Sequence, residues 1–465
     1  MMLRVYPEYA EGGYADRRTV LQGADITFYL ASALSCFPAR ILQAVGKPGT
    51  AAHFRPVMDL GEMCGNSPDI WCSPQWGCQW KPTYTLTVPV EWPSGYYILQ
   101  FPARRGPKQR QVDFIVAERE PAARVLFLVD FLTAQAYNVY GGQSLYGGFV
   151  LSGAWVAALK ATQVSFRRPL LQSPSYADAD RIADPMWTPH AEEPFRAWLA
   201  DRFKVAYLSN DALEEFGLEY LKKYRLVVIA GVQEYWTQPM VDHLEAYVQQ
   251  GGNLYLSATE FAFGIIRFEQ DRQAIQFYYD PRNDPLYAVS TDRVATFSAS
   301  ISNLEDFFGV SLEQGKGLGI SDQFEPLTVV NPAHWAYGQT GFSAGEVLTP
   351  IRGLGVGAWV RRGEDGRYCI VSAAIPCEQV EVLAVASYPP LDTRFEEDID
   401  IRLDGNLDYA TATIPETTFA VVAVIRQGEG TLFVAPGVWW NSPHPNGYDS
   451  RIQTVIENVI RRLSQ

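Results

Sequence analysis

Two different hydrophobic periods divide the chain. Over residues 1–118 apolar positions alternate with polar ones in short runs such as Asp25-Ile26-Thr27-Phe28-Tyr29-Leu30 and Thr83-Tyr84-Thr85-Leu86-Thr87-Val88. Gly, Pro and Asn turn residues separate these runs, and the alternation predicts strands with one buried face. Around a hundred such residues predict a β-sandwich. The basic stretch Arg104–Arg110 reads as a hairpin tip, and the domain boundary is placed near Arg119-Glu120-Pro121.

Beyond it the period changes. Val125–Phe131 is a continuous apolar run, as a strand buried on both faces requires. Lys204–Leu208, Leu226–Ala230 and Leu254–Ser257 are further strand candidates. Between them Phe195, Trp198, Leu199 and Phe203 share one helical face, and Met240, Val241, Leu244, Tyr247 and Val248 another. The latter helix starts at Thr237 as N-cap, with Pro239 in its first turn, and stops at Gly251-Gly252. Strands alternating with helices predict a doubly wound parallel sheet with right-handed crossovers over 119–465. Residues 265–345 are irregular and read as an insertion, with a lid as one use for it. Residues 350–436 return to β, with a hairpin around Gly428-Glu429-Gly430. Ile452, Val455, Ile456, Val459, Ile460 and Leu463 form the apolar stripe of a terminal helix.

With 47% hydrophobic and 19% charged residues the chain is globular, and 465 residues suffice for two or three domains. A net charge of −14 argues against nucleic acid or an anionic membrane as partner. No signal-peptide core and no run of about 18 apolar residues occur, which points to the cytosol. The six cysteines lack paired C-x2-C spacing and read as buried thiols.

Open parallel sheets bind ligands beyond the carboxyl ends of their strands. The residues after the candidate strands are Thr133–Gly142, Ser209-Asn210-Asp211, Gly231–Trp236 and Ala258–Phe261. Tyr137, Asn138, Glu234 and Glu260 could thus share one crevice. Asp211 reads as an N-cap for the helix that follows. There is no G-x-S-x-G elbow, no P-loop and no G-x-G-x-x-G after the first α/β strand. The five histidines are dispersed, so a His-rich metal site has little support.

Several runs resemble the N,N-dimethylformamidase large-subunit family. They are Gly13-Tyr14-Ala15-Asp16-Arg17, Val88-Pro89-x-x-Trp92-x-Ser94-Gly95-x-Tyr97, Ala136-Tyr137-Asn138-x-Tyr140-Gly141-Gly142, Gly231-x-x-Glu234-Tyr235-Trp236 and Gly251-Gly252-Asn253-Leu254. The resemblance implies a glutamine-amidotransferase-like domain preceded by β domains, and a mononuclear iron held by two tyrosines and a glutamate. Carried over, the ligands are Tyr97, Tyr137 and Glu234, a hard oxygen set suited to Fe(III). Such an ion would acidify a bound water and polarise an amide carbonyl. Where the amidases have a His two residues before the ligand Glu, this chain has Val232; where they have an Asn after the next strand, it has Glu260. Glu260 and Asn138 are then the candidates for acid/base and positioning work. The resemblance implies a small amide as substrate, and leaves a homo-oligomer or a small accessory subunit open. Two other functions compete: a non-catalytic binding or assembly protein, and a glycosidase-like enzyme using Glu234 and Glu260 as a carboxylate pair.

Overall fold

The computed structural model describes residues 11–465 except 46–52, 69–71, 105–108, 150–154, 157–158, 171–191, 291–293, 299–303, 312–326, 349–356, 373, 389–417, 438–439 and 442–448. The chain is mixed α/β with several sheets. It divides into two compact units, residues 1–215 with 266–277, and residues 216–265 with 278–465. The boundary expected near residue 118 therefore falls inside the first unit. Among the described residues no helix is long and apolar enough to cross a membrane.

The first unit opens with two sheets. Strands β1 (Gly12–Ala15), β2 (Thr19–Leu21), β3 (Asp25–Ala31), β4 (Phe37–Val45), β5 (His53–Met63), β6 (Tyr84–Thr87), β7 (Gly95–Pro102) and β8 (Gln109–Ala117) sort into β1-β3-β6 and β2-β8-β7-β4-β5. The alternation seen in the sequence is the reason: Ile26, Phe28 and Leu30 of β3 face Ile41, Leu99 and Phe114 of the larger sheet in one apolar core. Strands β7 and β8 are antiparallel, as the hairpin reading of Arg104–Arg110 requires; its tip, 105–108, lies outside the described residues. Next come β9 (Val125–Val129), the short helix α1 (Leu132–Tyr137), α2 (Glu193–Arg202) and β10 (Val205–Ser209). Strands β9 and β10 pair in parallel, and every β9 residue is buried, which the continuous apolar run anticipates.

The second unit carries β11 (Leu226–Val232), α3 (Gln238–Gln249), β12 (Asn253–Thr259), β13 (Thr328–Val329), β14 (Val380–Tyr388), β15 (Thr418–Gln427), β16 (Gly430–Val434) and α4 (Arg451–Leu463). Its sheet runs β11-β12-β16-β15-β14-β13. The first three strands are parallel and the rest antiparallel: the parallel part is extended by the β additions expected over 350–436 and by β13. The cause is local: the two-residue turn at Gly428 and Glu429, with Gly428 at φ +57°, folds β16 back on β15 without a crossover. Helix α3 starts where the sequence places it, with the Thr237 hydroxyl accepting from Met240 N. The six apolar residues of the α4 stripe are all buried.

The cysteines overturn their expectation. All six pair, as Cys36–Cys64, Cys72–Cys78 and Cys369–Cys377. Cys36 and Cys64 flank the β4–β5 ladder just beyond the Phe37 and Met63 partners, so pairing geometry places them opposite each other. That cross-link closes a loop spanning 28 residues. Loop-closure entropy then predicts that reduction costs this bridge roughly 3.5 kcal/mol. Alkylation of unfolded, unreduced protein is expected to leave the intact mass unchanged, and six adducts are expected after reduction. Adducts before reduction would contradict the pairing.

Candidate functional site

In the second unit the parallel strands β11 and β12 end side by side. Their register runs from Leu226↔Asn253 to Val232↔Thr259, and the chain beyond each end turns into a loop carrying a carboxylate. Gly231 at φ +86° begins the departure of β11. The two loops are then laced together: Gln233 N donates to Thr259 O (3.1 Å), Ala262 N to Gln233 O (3.0 Å) and Gly264 N to Glu234 O (2.8 Å). Tyr235-Trp236 pairs in parallel with Gly264-Ile265, and Trp236 meets Phe261 edge to face. Within this frame Glu234 is 3% exposed and Glu260 fully buried. Glu260 and Ala262 hold φ of +57° and +51°. Left-handed backbone at a non-glycine residue costs on the order of 1 kcal/mol, and it concentrates where a side chain must be aimed. Val232 is buried at the end of β11.

The first unit holds the remaining candidates. Asp130, at the end of β9, is fully buried. Its carboxylate accepts from Thr133 N (3.0 Å), Ala134 N (3.1 Å) and Asn210 Nδ2 (2.8 Å), and Asn210 Oδ1 accepts from Phe131 N (2.9 Å). This node caps α1 and ties the ends of β9 and β10, and it fixes where Tyr137 and Asn138 emerge. Nothing in the sequence singles out Asp130, a lone Asp inside the run Val125–Phe131 that carries no spacing signal. Tyr137, the last residue of α1, lies against Tyr146, with ring centroids 4.1 Å apart. Asn138 is fully buried; its Nδ2 donates to Pro169 O (2.9 Å) and its Oδ1 accepts from Tyr140 N (3.2 Å). Those bonds shape the loop. Gly141 follows at φ +85°, and a Cβ there would sit 2.9 Å from Cys72 O. Asp211 is not the expected N-cap: its Oδ2 accepts from Arg18 Nε (3.0 Å) and Nη2 (2.7 Å), a nearly buried ion pair.

Tyr97 occupies the sandwich core. Its ring stacks on Trp92, with centroids 5.0 Å apart and planes 3° apart, and its hydroxyl donates to Pro93 O at 2.8 Å. This is a tyrosine corner, a hydroxyl latched to backbone a few residues upstream. Burial pushes the hydroxyl above the ordinary tyrosine range, which opposes a tyrosinate. An iron held by Tyr97, Tyr137 and Glu234 would need the Tyr97 oxygen, and here that oxygen is a hydrogen-bond donor inside an apolar core. As folded, then, the residue set does not fit the iron. Tyr97→Phe is expected to cost ~1 kcal/mol of stability, the worth of one buried hydrogen bond, and to leave the metal content of the purified protein unchanged. Loss of a metal or of colour in that variant would restore Tyr97 as a ligand. Among the described residues no three or more His, Cys, Asp or Glu side chains are grouped to hold a metal.

The family model described as N,N-dimethylformamidase beta subunit-like, C-terminal, matches residues 66–443. No curated protein matches. Among solved structures, a putative ThuA-like protein from Bacteroides uniformis is 12% identical over 58% of this chain and 81% of that one, with a TM-score of 0.28. The mmIFT52 N-terminal domain is 14% identical over 58% and 88%, with a TM-score of 0.29.

Proposed function

Because the chain belongs to the N,N-dimethylformamidase beta subunit-like family, we propose that it hydrolyses the C–N bond of a small amide, with Glu234 and Glu260 as the acid/base pair. The observation that carries this reading is the pair of buried carboxylates at the ends of the neighbouring parallel strands β11 and β12, one of them on left-handed backbone. The proposed reaction needs one member of the pair ionised, as base, and the other protonated, as acid. The ionised member takes a proton from water as its oxygen attacks the carbonyl carbon. The protonated member gives its proton to the leaving nitrogen as the C–N bond breaks, and a carboxylic acid and an amine are released. Val232 offers no proton where the amidases have His, and a second carboxylate meets that need. No step passes through iron, since Tyr97 is committed to the sandwich core.

The glutamine-amidotransferase-like arrangement fits a site at the ends of parallel strands and belongs to the same proposal. So does location: three disulfides suit an oxidising compartment better than the cytosol. A screen of formamide, acetamide and N,N-dimethylformamide, read by amine release, tests the function. Turnover of at least one amide by the purified chain is expected. No turnover of any of them would leave the non-catalytic binding reading in its place.

A further inference from the structure

The first unit contains a cavity of about 40 Å³ that plays no part in the proposed acid/base chemistry. By volume it accommodates about three waters. Gly13, Tyr14, Ala15 and Arg17, from one of the runs that stand out in the sequence, form part of its wall. Arg168 forms another part and is 1% exposed. Arg168 Nε donates to Ser165 O (3.0 Å), Nη1 to Tyr140 O (2.6 Å) and Gln143 O (3.0 Å), and Nη2 to Gln135 O (3.4 Å). All four acceptors are neutral carbonyls, so four of the five N–H groups are used, one on Nη2 is left over, and no carboxylate answers the charge. Burial lowers Arg168 only to about 9, so it is a cation at neutral pH.

Arg18 lines the same space with its guanidinium 3.7 Å from the centre of the Phe166 ring. Its Nε and Nη2 both go to Asp211 Oδ2, and its Nη1 is buried without a hydrogen-bond partner. Arg17 is a third guanidinium on the lining. Asp113 is the carboxylate there, while Asp16 and Asp211, which answer Arg17 and Arg18, lie off it. The space is therefore bordered by three guanidinium groups and one carboxylate. A buried cation without a counter-charge is costly, and an anion beside it removes that cost.

We infer that this cavity binds a small carboxylate of one to three carbons. Arg18 Nη1 and the remaining N–H of Arg168 Nη2 are the donors left for the oxygens of a carboxylate. Phe166 and Leu170 give an apolar wall for a short carbon end. The volume and the opposing Asp113 disfavour a phosphate dianion.

Calorimetric titration of the full chain at constant ionic strength tests this, with sodium formate and sodium acetate as ligands and acetamide as the neutral isostere. Saturable one-to-one binding of a carboxylate is expected, with acetamide at least tenfold weaker. Arg168→Gln should abolish it. Because Arg168 also ties the 135–143 loop through its carbonyls, that variant can fail to fold, and Asp113→Asn supplies the independent arm. It removes the like charge and should tighten acetate at least threefold. Absence of saturable heat, equal binding of acetamide, or weaker acetate binding by Asp113→Asn would each overturn the assignment.

Discussion

Glu260→Gln is expected to lower kcat for amide hydrolysis by about a thousandfold, the middle of the range for loss of a positioned acid or base. Glutamine keeps the shape of the side chain and its place in the laced loops, but it can neither take a proton from water nor deliver one to nitrogen. Glu234→Gln should cost a similar factor. The double variant should be little worse than the more damaging single one, since the two groups serve one proton transfer cycle. The pH profile should be bell-shaped, falling when both members are protonated and again when both are ionised. Comparable kcat in wild type and both single variants, with amide turnover present in all, would remove the carboxylate pair from the mechanism. Loss of one limb in Glu260→Gln is what the pair requires, and a profile that keeps both limbs would mark Glu260 as no part of the titrating pair.

Local periodicity carried most of the fold. The alternating runs of β3 and β6, the buried run of β9, the cap at Thr237 and the α4 stripe all depend on contacts within a few residues or on one repeating face, and these are written in the sequence. What escaped depends on partners far along the chain. The sheet of the second unit turns antiparallel because β15 and β16 form a tight hairpin, and the hairpin was legible while its place in the sheet was not. Cys36 and Cys64 meet only once β4 and β5 are in register. Asp211 looks like a helix cap by position, yet Arg18, nearly two hundred residues earlier, takes its charge. The candidate site divides the same way. Glu234 and Glu260 lie in the loops after β11 and β12, which strand ends alone can locate, and both are buried. Tyr97 was carried over by motif, and the motif specifies a tyrosine at the end of Ser-Gly-x-Tyr without specifying the task of its hydroxyl. Strand alternation separates the two tyrosines: Tyr97 turns into the sandwich core, while Tyr96 lies under the Arg196 guanidinium, 3.9 Å from its ring centre.

The other large effect is structural. Asp130→Ala is expected to destabilise the protein by about 3 kcal/mol or more, read as a lower urea midpoint with an unchanged slope. The carboxylate is fully buried and accepts from two backbone amides of α1 and from Asn210. Alanine strips all three donors of their acceptor in a region water does not reach, and an orphaned buried donor costs more than its hydrogen bond contributes. Helix α1 spans six residues, too few to hold itself without its cap. Asp130→Asn keeps one good acceptor and should cost about half as much. The effect should also extend along the helix: amide exchange should quicken through Leu132–Tyr137 and in the loop that Asn138 shapes, while the β4–β5 hairpin stays protected. A change under about 0.5 kcal/mol would mean that the Asn210 bonds alone hold the two strand ends, and that α1 draws its order from packing rather than from its cap.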